Sequence, residues 1–94
     1  MTTTVANNPD QSRYEISIDG DRVGTAVYEL GDNSINFTHT VVESDSRERG
    51  LGGTLIKNAL DDVRANSTAR VIATCPFVVR WVSEHPDYQD LLER

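Results

Sequence analysis

A short run of charged residues and glycines, RERGLGG at residues 47–53, is the stretch whose composition most directly suggests chemistry. An amphipathic segment follows at once, so the run falls at the first turn of a predicted helix. The first N–H groups of a helix have no partner inside it and carry partial positive charge, which favours an anion. Glycines let the backbone approach a phosphate, and Arg47 and Arg49 add positive charge. The run is therefore either a phosphate-binding loop or only a glycine-rich turn.

Two familiar phosphate-binding motifs are excluded by the residues that follow the glycines. A P-loop requires a lysine and then Ser or Thr at the end of its glycine run, whereas here Gly53 is followed directly by Thr54. A dinucleotide fingerprint requires a third glycine three residues after the second, a position that is Leu55 in this chain. If the run binds a phosphate, it does so in another structural context.

Cys75 and His39 are the side chains outside this run that could act in a reaction. Cys75 falls at the end of a predicted buried strand and directly before Pro76, close to the start of a predicted helix that would stabilise its thiolate. It could accept an acyl group, donate a proton to a leaving thiolate, or simply be a small buried residue. His39 lies on a predicted strand and could take part in proton transfer, or could be satisfied by the backbone.

The elements that would position these residues follow from hydrophobic periodicity. Apolar residues alternate with polar ones in three segments with short turns between them, 13–19, 22–30 and 34–42, which predicts an antiparallel meander. In the third segment, Ile35, Phe37, His39 and Val41 are expected on one face. Helical spacing over 50–66 and 76–85, with a short apolar strand at 69–74 between them, predicts a right-handed β-α-β crossover and a C-terminal helix. The predicted fold class is a small mixed α/β (α+β) sheet protein.

Length and composition limit the remaining possibilities. The 94 residues fit one domain, predicted over 13–94, with a polar and disordered lead-in over 1–12. The net charge of −6 argues against general nucleic-acid binding. The sequence has no run of about 20 apolar residues, so no membrane partner is expected. A single cysteine and a start unlike a signal peptide predict a cytoplasmic protein.

The spacing Arg47-x-x-Gly50-x-Gly52 resembles the (Arg/Gln)-x-x-Gly-x-(Gly/Ala) signature with which the GNAT superfamily of N-acetyltransferases holds the pyrophosphate of acetyl-coenzyme A. Upstream THTVV, downstream CPFV and the closing HPDYQDLL resemble, in the same order, the motifs of the compact YjdJ-type branch of that superfamily. The resemblance covers about residues 13–92. The chain departs from it at Val41, where the family usually has an acidic residue.

The resemblance implies a sheet whose two central parallel strands splay apart to admit the pantetheine arm of acetyl-coenzyme A, the expected co-substrate. It implies site roles for Cys75 and His39 and no metal. The cofactor-binding residues that it implies are Val41, Val42, Arg47, Glu48, Arg49, Gly50, Leu51, Gly52, Gly53 and Thr54. The acetyl acceptor is expected to be a primary amine, on a small molecule or a protein lysine, and neither its identity nor the oligomeric state can be read from the sequence.

Two other functions stay open at this point. The valine in place of an acidic residue at position 41 favours a module that binds acetyl-coenzyme A without efficient turnover. A small structural or interaction protein, in which the glycines form only a turn, is the third alternative.

Overall fold

The structure is a computed structural model that describes residues 2–43 and 50–94. Five strands and two α-helices follow one another in this order: β1 (Thr3–Asn8), β2 (Arg13–Ile18), β3 (Asp21–Gly31), β4 (Ser34–Val42), α1 (Leu51–Asn66), β5 (Arg70–Ala73) and α2 (Pro76–Ser83). Short 3-10 helices occupy Pro9–Gln11 and Pro86–Glu93. Neither α-helix within these ranges has the length and apolar character that crossing a membrane requires.

The five strands form one sheet in the order β1-β2-β3-β4-β5. The pairs β1-β2, β2-β3 and β3-β4 are antiparallel, and β5 runs parallel to β4. Because α1 lies between β4 and β5 in the chain, these three elements form the β-α-β crossover. The predicted fold class, a meander followed by a crossover and a C-terminal helix in a small mixed sheet, is confirmed.

The predicted disordered lead-in over 1–12 is wrong, because its residues 3–8 form strand β1. This strand pairs along its whole length with β2, with Val5 opposite Ile16, and the Tyr28 hydroxyl donates a 2.7 Å hydrogen bond to Asn7 Oδ1. Its Thr and Asn side chains gave no apolar alternation in the sequence. An edge strand does not need such alternation, since the backbone pairing to its neighbour orders it.

The core lies on one face of the sheet, where both helices pack. Alternate residues of β2, β3 and the first half of β4 are buried, and the apolar stripe of α1 covers them. The ring of Phe37 sits at the centre, with its centroid 6.1 Å from those of Tyr14 and Tyr28. The fully buried large side chains are Phe37, Ile16, Leu55, Ile56, Leu60, Leu91, Val71 and Val78. We call the side of the sheet opposite the helices the outer face.

A bulge at Thr38 divides β4 into two halves. Odd-numbered residues before the bulge face the helices, and odd-numbered residues after it lie on the outer face. Phe37 pairs with Tyr28 and His39 pairs with Val27, so Thr38 is an extra residue without a partner of its own. The expectation that His39 and Val41 share a face with Phe37 is therefore wrong. An inserted residue shifts the alternation by one, which turns Val42 toward the helices, where it is 7% exposed, and leaves Val41 64% exposed.

The chain end packs back on α1 through aromatic and polar contacts. Trp81 is buried, as expected for a side chain that holds the last helix on the core. The Tyr88 hydroxyl donates a 2.7 Å hydrogen bond to Asp61 Oδ1, and Arg64 donates bonds of 2.7 and 2.9 Å to the two carboxylate oxygens of Asp90. These bonds fix the C-terminal 3-10 helix against α1.

Candidate functional site

Strands β4 and β5, the last pair in the strand order and not a central pair as expected, separate after a short paired stretch. They pair only over Ser34–Phe37 and Arg70–Ala73. The backbone N–H groups of Thr74 and Cys75 then both donate to the carbonyl of Phe37, at 3.1 and 3.0 Å, and the chain turns away into α2. Because β4 continues to Val42 while β5 ends at Ala73, a gap opens between the two parallel strands.

A cleft of about 340 Å³ lies beside this gap. Its walls come from the end of β4, the start of α1 and the start of α2, and its lining residues are Thr40, Val41, Val42, Gly52 and Phe77. The lining is apolar apart from the Thr40 hydroxyl and backbone groups. Such a wall suits a slender ligand with an apolar arm and few hydrogen-bonding groups.

The start of α1 forms one end of the cleft and presents backbone N–H groups that have no partner within residues 2–43 and 50–94. Gly50 precedes the helix with φ of 73°, a left-handed conformation that glycine adopts without strain. The Thr54 N–H donates to the Gly50 carbonyl at 3.3 Å, so the N–H groups of Leu51, Gly52 and Gly53 lie before the first helical bond. The first turn carries no acidic residue. These three donors can therefore receive an anion.

Gly52 and Gly53 also allow α1 and α2 to approach closely. A Cβ atom at Gly52 would lie 2.9 Å from Phe77 Cζ, and one at Gly53 would lie 3.4 Å from Trp81 Nε1. Phe77 is 42% exposed, so its ring forms a wall of the cleft instead of packing on the sheet. The glycines thus have a packing role that the sequence alone did not suggest.

Cys75 lies directly behind the wall of the cleft, at the N-cap of α2. It is 6% exposed, and its Sγ is 3.6 Å from the hydroxyl oxygen of Thr40, a residue that lines the cleft. Burial raises the pKa of the Cys75 thiol, but hydrogen bonds from Thr40 and from the backbone amides of Val78 and Phe77 outweigh it. The pKa therefore lies below its ordinary value.

His39, the other expected catalytic residue, is not hydrogen-bonded to Cys75. It is exposed on the outer face, with Nδ1 3.1 Å from the Thr38 hydroxyl oxygen. The bulge brings Thr40 to Cys75 instead. Sequence reasoning missed Thr40, although the adjacent valines at 41 and 42 are a signal that simple alternation fails in this strand.

The expected cofactor-binding residues divide into three groups. Arg47, Glu48 and Arg49 lie outside the described residues. The cleft is lined by Val41, Val42 and Gly52. The start of α1, with its N-cap, contains Gly50, Leu51, Gly53 and Thr54. The Leu51 side chain is buried in the core, and the Thr54 hydroxyl donates to the Gly50 carbonyl at 3.4 Å. Within residues 2–43 and 50–94, no three His, Cys, Asp or Glu side chains come together as metal ligands.

These features define a class of small α/β domain with a ligand cleft between splayed parallel strands and a glycine-rich helix start at the end of that cleft. A family profile described as GCN5-related N-acetyl-transferase matches residues 13–91. The chain belongs to this family of N-acetyltransferases, since the match spans most of its length. No curated protein sequence matches the chain significantly.

Proposed function

We propose that the protein transfers the acetyl group of acetyl-coenzyme A to a primary amine. The observation that carries this proposal is the apolar cleft in the gap between β4 and β5, with the N–H groups of Leu51, Gly52 and Gly53, which have no partner within the described residues, at its end. Coenzyme A has the matching form, a charged pyrophosphate joined to a long and largely uncharged arm. The order of the THTVV, RERGLGG and CPFV motifs supports assignment to the compact YjdJ-type branch of the family.

In this arrangement the pyrophosphate binds the start of α1, and the arm runs along the cleft toward Thr40. Arg47 and Arg49 directly precede the helix in sequence, and we assign them to charge-assisted contacts with the phosphates. The thioester sulfur then lies beside the Thr40 hydroxyl. Binding in this position holds the reacting carbonyl at a fixed place, which supplies much of the acceleration expected of an acyl transferase.

The transfer step is direct. The neutral amine attacks the thioester carbonyl, the C–N bond forms, the C–S bond breaks, and the amine proton passes to water. The leaving thiolate takes a proton from the Thr40 hydroxyl, which receives the Cys75 proton in turn. The resulting Cys75 thiolate is stabilised by the backbone amides at the start of α2 and is reprotonated from water. Cys75 is thus a proton source behind Thr40 and not a covalent carrier.

A module that binds acetyl-coenzyme A without efficient turnover is the second candidate. The observation that favours it is Val41, an exposed apolar side chain at the edge of the cleft where related enzymes usually have an acidic residue. Without a base at this position, the protein would depend on amines that are already neutral.

The test combines a coenzyme A titration, followed by backbone NMR, with an assay of thiol release. We expect the largest amide shifts at Gly50–Thr54, where the phosphates would bind. Shifts confined to the β1–β2 hairpin would place the ligand elsewhere. We expect thiol release from acetyl-coenzyme A with at least one amine of a panel that includes lysine peptides and small amines. Binding without any release would favour the non-catalytic module.

A further inference from the structure

A second concave surface borders the cleft on the outer face of the sheet. This groove has a volume of about 300 Å³ and spans the ends of β2, β3 and β4. The residues that matter for its chemistry are Arg13, Arg22, Thr25, Val41 and Glu43, all of which line it. Its position and charge differ from those of the cleft, which is nearly uncharged.

Val41 joins the two surfaces, because it lines both the cleft and the groove. In the sheet it stands opposite Thr25, so the groove extends from the edge of the cleft across β3 toward β2. A molecule lying in the groove can therefore present one end at the cleft, where the acetyl group is expected. This continuity makes the groove a candidate for the acceptor.

The far end of the groove has an excess of positive charge in a protein whose net charge is −6. Arg13 Nε and Arg22 Nη1 lie 2.7 and 3.4 Å from the same Glu15 oxygen, so two guanidinium groups share one carboxylate. The Arg22 side chain is 53% exposed. Its remaining N–H groups can form the paired hydrogen bonds by which arginine recognises a carboxylate.

Glu43 supplies the opposite charge at the other side of the groove. Its backbone N–H donates to the Val23 carbonyl at 2.9 Å, which anchors the residue beside the start of β3. A groove with guanidinium groups and a carboxylate matches a ligand that has a carboxylate and an ammonium group. A simple aliphatic amine could use Glu43 but would make no use of the exposed guanidinium of Arg22.

We propose that the groove binds the acetyl acceptor and selects a primary amine that also carries a carboxylate. The acceptor carboxylate pairs with Arg13 and Arg22, and its amino group lies by Glu43 and Val41 at the edge of the cleft. This inference rests on the proposed acetyl transfer, whose acceptor it narrows to an amino-acid type of molecule.

The test compares 6-aminohexanoate with 6-aminohexanamide, which differ in the carboxylate but keep the amine. The wild-type protein should acetylate the carboxylate form with the higher kcat/KM. Arg22→Gln should reduce kcat/KM for 6-aminohexanoate about tenfold, through KM, and leave that for the amide unchanged. Arg80→Gln is the matched control, since Arg80 is 80% exposed on α2 and lines neither surface. Equal use of both amines by the wild-type protein would overturn the proposal.

Two further measurements separate this proposal from the proposed function. Arg22→Gln should bind coenzyme A with unchanged Kd, and a weakened Kd would mean that the arginine serves a coenzyme phosphate, which overturns the acceptor assignment. If no amine is acetylated, the proposed transfer fails. In that case 6-aminohexanoate should still shift the Thr25 and Val41 amides in the free protein while the amide form does not, and the absence of such shifts would overturn the binding site itself.

Discussion

The two ends of helix α1 differ in whether their polar groups have partners among the described residues. At its C-terminal half, the polar side chains are paired within the protein: Asp62 accepts hydrogen bonds from Tyr14 at 2.6 Å and Asn66 at 2.7 Å, and Asp61 accepts one from Tyr88. At the N-terminal end, glycines replace side chains, and three backbone donors lie before the first helical bond.

One helix can thus contribute to stability at one end and, under the proposed function, to ligand binding at the other. The C-terminal half ties together β2, α1 and the C-terminal 3-10 helix, so its polar groups contribute to folding. The N-terminal end leaves donors without a partner among the described residues, and the pyrophosphate of the proposed co-substrate would accept hydrogen bonds from them. Changes at the two ends should consequently affect different measurements.

The largest effect is expected at the N-terminal end. Gly52→Val should weaken coenzyme A binding by at least about 100-fold, because a branched side chain would stand where the phosphate approaches the backbone. Calorimetric titration measures this loss. The new side chain also meets the Phe77 ring, so a second variant is needed to separate the two effects.

Gly52→Val combined with Phe77→Ala removes that contact, with Phe77→Ala alone as its reference. The double variant should remain unable to bind. Recovery of the affinity of Phe77→Ala would show that Gly52 serves only the packing of α1 against α2.

An intermediate effect is expected at the wall of the cleft. Cys75→Ala should lower turnover about 10- to 100-fold without changing the Kd for coenzyme A, since it removes a proton source but no binding contact. Thr40→Val should have a similar effect, and Thr40→Ser should restore activity because it keeps the hydroxyl. Intact-protein mass spectra after incubation with acetyl-coenzyme A should show no acetyl adduct. An adduct on Cys75 that passes to the amine at the turnover rate would establish a covalent route instead.

The smallest effect is expected at the C-terminal half of the helix. Tyr14→Phe should lower the free energy of unfolding by about 1–2 kcal/mol, because it removes the buried hydroxyl that donates to Asp62. Chemical denaturation measures this change, and coenzyme A affinity should stay as in the wild type. A loss of affinity in Tyr14→Phe would contradict the separation of the two ends.

Strong periodicity made much of the fold predictable from the sequence. The apolar stripe of α1, with Leu55, Ile56 and Leu60 at helical spacing, and the short apolar β5 predicted the crossover correctly. Strand β1 was not predictable in the same way, since a polar edge strand is ordered by backbone pairing and leaves no pattern of apolar side chains.

The candidate site was only partly predictable. The glycines and Cys75 were found because their residue types are unusual at the start of a helix. Thr40 instead of His39 lies beside Cys75 because of the bulge at Thr38, and the alternation of Ile35, Phe37, His39 and Val41 hides that bulge in the sequence. The adjacent valines at 41 and 42 indicate a break in the alternation without giving its position. The groove with Arg13 and Arg22 was not visible either, because pairing of β2 with β3 and of β3 with β4 brings together residues that are far apart in the chain.

The bulge at Thr38 has a consequence for protein engineering. Beyond the bulge, Thr40 and Val41 border different surfaces. Thr40 lines the cleft on the expected path of the thioester, whereas Val41 lines both the cleft and the arginine-lined groove. We therefore expect random libraries at position 41 to change acceptor preference while position 40 is held constant. Deleting a single residue at the bulge would exchange the faces of Thr40 and Val41, so we expect an insertion or deletion here to disturb both surfaces at once.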